Sequence, residues 1–181
     1  MSATVIWCDW GDRDTAMLEQ IWQGIPNVNV VHITQWDEYA EQQVDEAIAS
    51  ETGTLLLCGH GSPYGLMAPR SLTEYTVHRM NAPTIQAQSI IGIFCYAADF
   101  AHNVGLSGLY SGMFLSNIEE AEMYCVRTTD DEIFDGALEV FDLLNQVVSG
   151  SITSEEFMHT LQASNTDNMA LRFNIQGFEI L

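Results

Sequence analysis

A histidine and a cysteine each follow a short apolar run, and together they have the chemistry of a nucleophile and its proton-transfer partner. His60 follows the run Thr-Leu-Leu-Leu-Cys-Gly, and Cys95 follows Ile-Ile-Gly-Ile-Phe. Such runs, bounded by glycine or polar residues, are typical of buried strands in a parallel sheet. Ligand sites lie outside the carboxyl ends of these strands, which are spaced by about 4.8 Å. The sequence therefore predicts that His60 and Cys95 converge on one reacting atom, with the thiol as nucleophile.

The elements that must position these residues follow from an alternation of strand and helix patterns. Strands are predicted at 4–7, 28–34, 54–58 and 89–94, and helices at 17–22, 37–49 and 96–103. This alternation indicates right-handed crossovers and a mainly parallel sheet with helices on both faces. The predicted fold class is α/β, a three-layer sandwich.

The remaining segments complete a single domain over residues 1–181. We predict loops at 59–69 and 105–112, with an uncertain segment at 71–80. Strands are predicted at 113–118 and 123–126, helices at 130–148 and 155–162, and an edge strand in the tail at 169–181. The chain has no internal repeat or linker, and its length suffices for one full hydrophobic core.

The charge balance restricts the class of partner. There are 25 acidic residues against five basic ones, no lysine, and a net charge of −20. This surface disfavours nucleic acid and anionic membranes and favours a basic peptide or protein. No apolar run is long enough to span a membrane, and the N-terminus lacks the basic region of a signal peptide. The expected location is therefore the cytoplasm.

The four cysteines differ in their expected roles. Cys8, Cys58 and Cys125 are interpreted as reduced, buried thiols. Cys95 precedes a predicted helix, and the partial positive charge of a helix N-terminus favours a thiolate. We therefore expect a lowered pKa at Cys95, and Cys95 as the one hyper-reactive thiol.

The two strand motifs resemble those of the caspase-like (clan CD) cysteine peptidases, a group that includes caspases, metacaspases, legumain, gingipains, separase and CHAT domains. The matching residues are Leu55–Ser62 and Ile90–Cys95, with histidine on the third strand and cysteine on the fourth. His60 lies 35 residues before Cys95. This short spacing is nearest to compact CHAT-like and gingipain-like members. The resemblance implies a caspase-like sheet and a cysteine endopeptidase.

The resemblance also implies roles for individual residues. Cys95 would attack the scissile carbonyl, and His60 would protonate the leaving amine. The backbone N–H groups of Gly61 and Cys95 would hold the oxyanion, and Gly61 has no Cβ to obstruct the substrate. Asp9 and Asp99 would bind a basic side chain before the scissile bond. The substrate would be a peptide or protein, and no metal or cofactor is expected.

Two alternatives remain open. Bulky Phe94 and Tyr96 flank Cys95, so the chain is alternatively a catalytically inactive caspase-like binding module. The motif around His60 also resembles a strand end of the small tetrapyrrole metal chelatases. In those enzymes the motif lies on the opening strand, whereas two predicted strands precede it here.

Overall fold

A computed structural model describes residues 2–181. The strands are β1 (Ala3–Cys8), β2 (Val28–Ile33), β3 (Thr54–Cys58), β4 (Gly61–Ser62), β5 (Gly65–Met67), β6 (Tyr75–His78), β7 (Ser89–Ile93), β8 (Leu109–Tyr110) and β9 (Glu179–Ile180). The helices are α1 (Arg13–Ala16), α2 (Glu38–Ser50), α3 (Ala97–Val104), α4 (Ile118–Met123), α5 (Asp130–Val148), α6 (Ser154–Ala163) and α7 (Met169–Gly177), with 3-10 turns at Met17–Ile21 and Ala82–Thr84.

The central sheet has six strands in the order β2-β1-β3-β7-β8-β9. Every neighbouring pair from β2 to β8 is parallel, and β9 closes the sheet as an antiparallel edge strand. The predicted α/β class with a mainly parallel sheet is confirmed. The predicted edge strand in the tail is also present, although a helix, α7, precedes it.

Alternating side chains of the sheet fill two cores, one on each face. Leu56 of β3 packs in the core that α5 and the turn at Met17–Ile21 cover. Its neighbours Leu55 and Leu57 point to the opposite core, which α2 and α3 cover. All three leucines are fully buried, as expected for a strand with a helical layer on each side.

A small antiparallel sheet, β4-β5-β6, lies where a loop was predicted at 59–69 and where no element was assigned at 71–80. Leu66 and Val77 from this sheet are buried in the core beside α2 and α3. The hydroxyl of Thr76 donates to the carbonyl of Leu66 at 3.2 Å. This sheet follows directly from His60 and so fixes one side of the region around it.

Four predictions of secondary structure are wrong, three of them in the second half of the chain. The segment 113–118 is not a strand, because Asn117 near its end caps helix α4. The segment 123–126 is not a strand either, because Cys125 has φ 56° and forms a turn. The predicted loop at 105–112 contains strand β8. Gly92 allows β8 to pair with β7, since a Cβ there would lie 2.6 Å from the Tyr110 ring. The predicted helix at 17–22 is a short α1 followed by a 3-10 turn.

The length and composition of the helices decide whether any of them could cross a membrane. Within residues 2–181, no helix combines the length and the apolar composition needed to cross a bilayer.

Candidate active site

The carboxyl ends of β3 and β7 bring His60 and Cys95 to one place. The two strands are parallel neighbours in which Cys58 is paired with Ile93, and each candidate residue lies two positions further on. Both residues line a small cavity of about 30 Å³ and an open groove of about 410 Å³. His60 and Cys95 therefore face the same two spaces at one edge of the sheet.

The turn that carries Cys95 is held by the segment after β8. The Phe94 N–H donates to Ser111 Oγ at 3.2 Å, and that hydroxyl donates to the Phe94 carbonyl at 2.9 Å. The Tyr96 N–H donates to the Gly112 carbonyl at 2.9 Å. Tyr96 has φ 66°, a left-handed conformation that is strained for a bulky residue. The backbone on both sides of Cys95 is thus fixed.

The Cys95 thiol lies in surroundings that oppose its ionisation. Its Sγ donates to the Phe114 carbonyl at 3.7 Å, and the residue is partly buried. Burial first, and then the carboxylate of Glu120, raises the pKa of Cys95 to about 12, with a further contribution from Asp14. The prediction of a lowered pKa is therefore wrong. The N-terminus of α3 does not offset the burial, and two carboxylates lie nearby.

The accessibility of the other thiols also differs from the prediction. Cys8 and Cys58 are buried as predicted, whereas Cys125 is exposed because it lies in the turn after α4. Burial raises the pKa of Cys8 to about 12 and that of Cys58 well above its ordinary value.

We expect iodoacetamide to label Cys125 before Cys95 in the native protein. With a pKa of about 12, only roughly one Cys95 thiol in ten thousand is ionised at pH 8. Peptide mapping of a labelling time course gives both rates. Glu120→Gln removes a nearby negative charge and is expected to speed labelling of Cys95 alone. Faster labelling of Cys95 than of Cys125 in the unmodified protein would contradict this description of the thiol.

An aspartate outside the two strand motifs, Asp12, orients His60. The His60 Nε2 lies 2.8 Å from Asp12 Oδ2, and the Trp10 ring stands edge-on at 5.0 Å. Burial pushes the pKa of Asp12 upward, but hydrogen bonds from Thr15 and His60 outweigh it and hold this pKa below its ordinary value. An ionised Asp12 makes Nε2 the proton-bearing nitrogen. The other nitrogen, Nδ1, is then the free base of the neutral ring.

Gly61 is required for packing rather than for approach of a substrate. A Cβ at this position would lie 2.2 Å from the Phe94 ring, which is buried and also packs against Phe100. The side chain of Phe94 therefore belongs to the core beneath the turn. The predicted reason for glycine here, open space for a substrate, is replaced by this contact.

The two backbone N–H groups predicted to hold an oxyanion are free of the sheet hydrogen bonds. Gly61 is paired with Leu66, and the Met67 N–H donates to the His60 carbonyl. Because hydrogen-bonded and non-bonded pairs alternate in an antiparallel ladder, the Gly61 N–H points away from β5. Among the backbone hydrogen bonds outside the helices and strands of residues 2–181, none has the Cys95 N–H as its donor.

Asp9 and Asp99 are not among the residues that line the cavity or the groove. Asp9 faces β2, where its Oδ2 lies 2.9 Å from His32 Nε2. Asp99 is exposed on the first turn of α3. The acidic residues that do line these spaces are Asp14 in the cavity and Glu120 in the groove. The acidic residues nearest the proposed dyad thus differ from the two that were predicted to bind a basic side chain.

Neither Asp12 nor Glu120 carries a recognisable sequence motif. Asp12 lies in the acidic loop after β1, and β1 is the neighbour of β3, so only the strand order reveals its proximity to His60. Glu120 reaches the site on α4, within the segment whose strands were wrongly predicted.

Two further observations concern metal ligands and the comparison of this chain with known proteins. Across residues 2–181, no three histidine, cysteine or acidic side chains are arranged to hold a metal ion. No family model, curated protein or solved structure matches the chain.

Proposed function

We propose that the protein is a cysteine peptidase of the caspase-like type, with Cys95 as nucleophile and His60 as acid and base. One observation carries the proposal: both residues leave adjacent parallel strands in register and line the same groove. The histidine follows the third strand of the central sheet and the cysteine the fourth, in the order that the resemblance implies.

Attack begins with a protonated thiol. Burial disfavours a free thiolate, so the proton leaves Cys95 Sγ for His60 Nδ1 as the sulfur forms its bond to the scissile carbonyl carbon. The carbonyl oxygen then bears the negative charge, which the N–H groups of Gly61 and Cys95 stabilise. Such a donor contributes about 3 kcal/mol in other acyl-transfer sites.

Three further proton transfers that involve His60 complete the reaction. The carbon–nitrogen bond breaks as the protonated imidazole gives its proton to the leaving amine, which leaves a thioester on Cys95. Water then attacks the thioester carbon and gives a proton to His60. The carbon–sulfur bond breaks, and the sulfur recovers this proton. The products are an amine and a carboxylic acid.

Asp12 acts as a positioning residue in this scheme, and Asp12→Asn is expected to lower kcat by about 10- to 100-fold. The asparagine oxygen still accepts the Thr15 N–H that caps α1, so the melting temperature is expected to stay nearly unchanged. The amide no longer provides an ionised acceptor for His60 Nε2. The pH profile of kcat/KM, recorded alongside kcat, reports this change.

Asp37→Asn is the matched control, because Asp37 caps α2 through the Ala40 N–H and does not line the groove. This variant is expected to keep the kcat and the pH profile of the unmodified protein. Equal kcat values for the Asp12 and Asp37 variants would show that Asp12 serves only as a helix cap.

A catalytically inactive binding module is the second candidate. The raised pKa of Cys95 favours it, because the resting thiol is neither ionised nor hydrogen-bonded to His60. Such a module would hold a peptide in the groove without turnover. Release of new amino termini from a peptide library, measured against a Cys95→Ala control, separates the two functions.

A further inference from the structure

The groove beside Cys95 has a predominantly apolar wall. Its apolar and aromatic lining residues are Trp10, Met67, Leu72, Tyr96, Met113, Met123 and Tyr124. Methionine side chains are flexible and polarisable, so they adapt to apolar partners of different shapes. The volume of about 410 Å³ is within the range of sites that enclose a small ligand or a large side chain.

Two of these side chains are unusually open to water. Leu72 and Met123 are each 76% exposed, and they reach the groove from the loop before β6 and from α4, respectively. A single exposed apolar residue is ordinary, but exposed apolar residues that converge on one concave surface mark an interaction site. Burial of both by a ligand would remove this apolar surface from water.

The groove contains few charged groups. No arginine lines it, so an acidic side chain would have no partner there. Its single carboxyl group, Glu120, already accepts the N–H of Ser116 at 2.8 Å and the hydroxyl of Ser116 at 3.1 Å. Burial also holds the pKa of Glu120 above its ordinary value.

We propose that the groove binds a large uncharged apolar side chain, such as leucine, methionine or phenylalanine, at the position before the scissile bond of an extended peptide. This assignment rests on the proposed function of Cys95. The Gly61 N–H, on a residue that lines the same groove, is available to the peptide carbonyl. The net charge of −20 attracts basic peptides in general. The groove, in contrast, selects the side chain at the position before the scissile bond.

A positional peptide library with the full-length protein tests the selection. We expect kcat/KM for leucine, methionine or phenylalanine before the scissile bond to exceed that for arginine or aspartate by at least about tenfold. Met123→Glu should lower kcat/KM for the leucine substrate by about tenfold or more. Met80→Glu is the matched control: Met80 is 74% exposed and lies outside the groove, so this variant should leave kcat/KM unchanged.

Equilibrium binding to the Cys95→Ala protein tests the groove without catalysis. Fluorescently labelled hexapeptides differing only in a central norleucine, arginine or aspartate serve as probes. The norleucine peptide is expected to bind at least about tenfold more tightly than the others, and Met123→Glu to abolish this difference.

The outcomes separate the two proposals. Norleucine-selective binding without any hydrolysis by the unmodified protein would support the groove assignment and overturn the peptidase function. Cleavage only after arginine or aspartate would support the peptidase and overturn the groove assignment. Absence of binding by every peptide, or equal binding of all three, would also overturn the groove assignment.

Discussion

Cys95→Ala is expected to reduce kcat for the best peptide substrate by about a thousandfold or more, because the bond-forming sulfur is lost. His60→Ala should produce a loss of similar size, since no other histidine lines the groove or the cavity. The double variant should be no slower than the worse single one, because the two residues act in one step. Initial rates on the same peptide, with melting temperatures recorded in parallel, provide the measurement.

Cys125→Ser is the control for this pair of variants. Cys125 is exposed and does not line the groove, so its replacement should leave kcat unchanged. Two results would exclude Cys95 as the nucleophile: retained activity in the alanine variant, or losses from Cys95→Ala and His60→Ala that multiply in the double variant.

Gly61→Ala is expected to destabilise the fold by about 1–3 kcal/mol, the usual range for overpacking of a filled core. The new Cβ would lie 2.2 Å from the Phe94 ring, so either the ring or β4 must move. Movement of β4 displaces His60 and the Gly61 N–H together, and kcat should fall as well. Urea unfolding gives the change in the free energy of unfolding.

A double-mutant cycle tests whether contact with the Phe94 ring causes the destabilisation expected in Gly61→Ala. Phe94→Leu makes space beside Gly61, so the cost of Gly61→Ala should be smaller in that background than in the unmodified protein. Gly177→Ala is a milder comparison, because its nearest neighbour to a new Cβ is 3.3 Å away. An unchanged free energy of unfolding in Gly61→Ala would show that the Phe94 ring yields freely.

The sheet that carries the site was predictable because its strands are uniformly apolar. Strand β3 was predicted at its observed bounds, and β7 to within one residue. A strand that is buried on both faces is a continuous apolar run, which can be identified in the sequence without knowing the neighbouring strands. The long helix α5 was likewise predicted at its observed bounds, from the three- and four-residue spacing of its apolar residues.

The segment that closes the site was not predictable in the same way. Strand β8 has only two residues, and it pairs with β7 because Gly92 leaves space for Tyr110. Helix α4 is short and depends on the Asn117 cap rather than on a long apolar periodicity. Strand β8 thus depends on a contact between residues distant in sequence, and α4 depends on a local cap without an apolar pattern.

The chemical state of the site depends on the same distant contacts. The expected ionisation of Cys95 followed from its local position before a helix. Its observed environment comes instead from Phe114, Glu120 and Asp14, which arrive from other parts of the chain. Asp12 approaches His60 through strand order alone. The pair of residues was thus predictable, whereas the groups that tune the pair were not.

The most direct test of the proposed dyad is covalent trapping by a peptidyl acyloxymethyl ketone with leucine next to the ketone. Attack by Cys95 on the methylene carbon forms a carbon–sulfur bond and expels a carboxylate, so intact-mass spectrometry reads the product. We predict one adduct per folded chain, mapped to Cys95, that is greatly slowed in His60→Ala and in urea. An adduct on Cys125, or labelling of Cys95 at the same rate without His60, would contradict the assignment of His60 and Cys95 as a catalytic dyad.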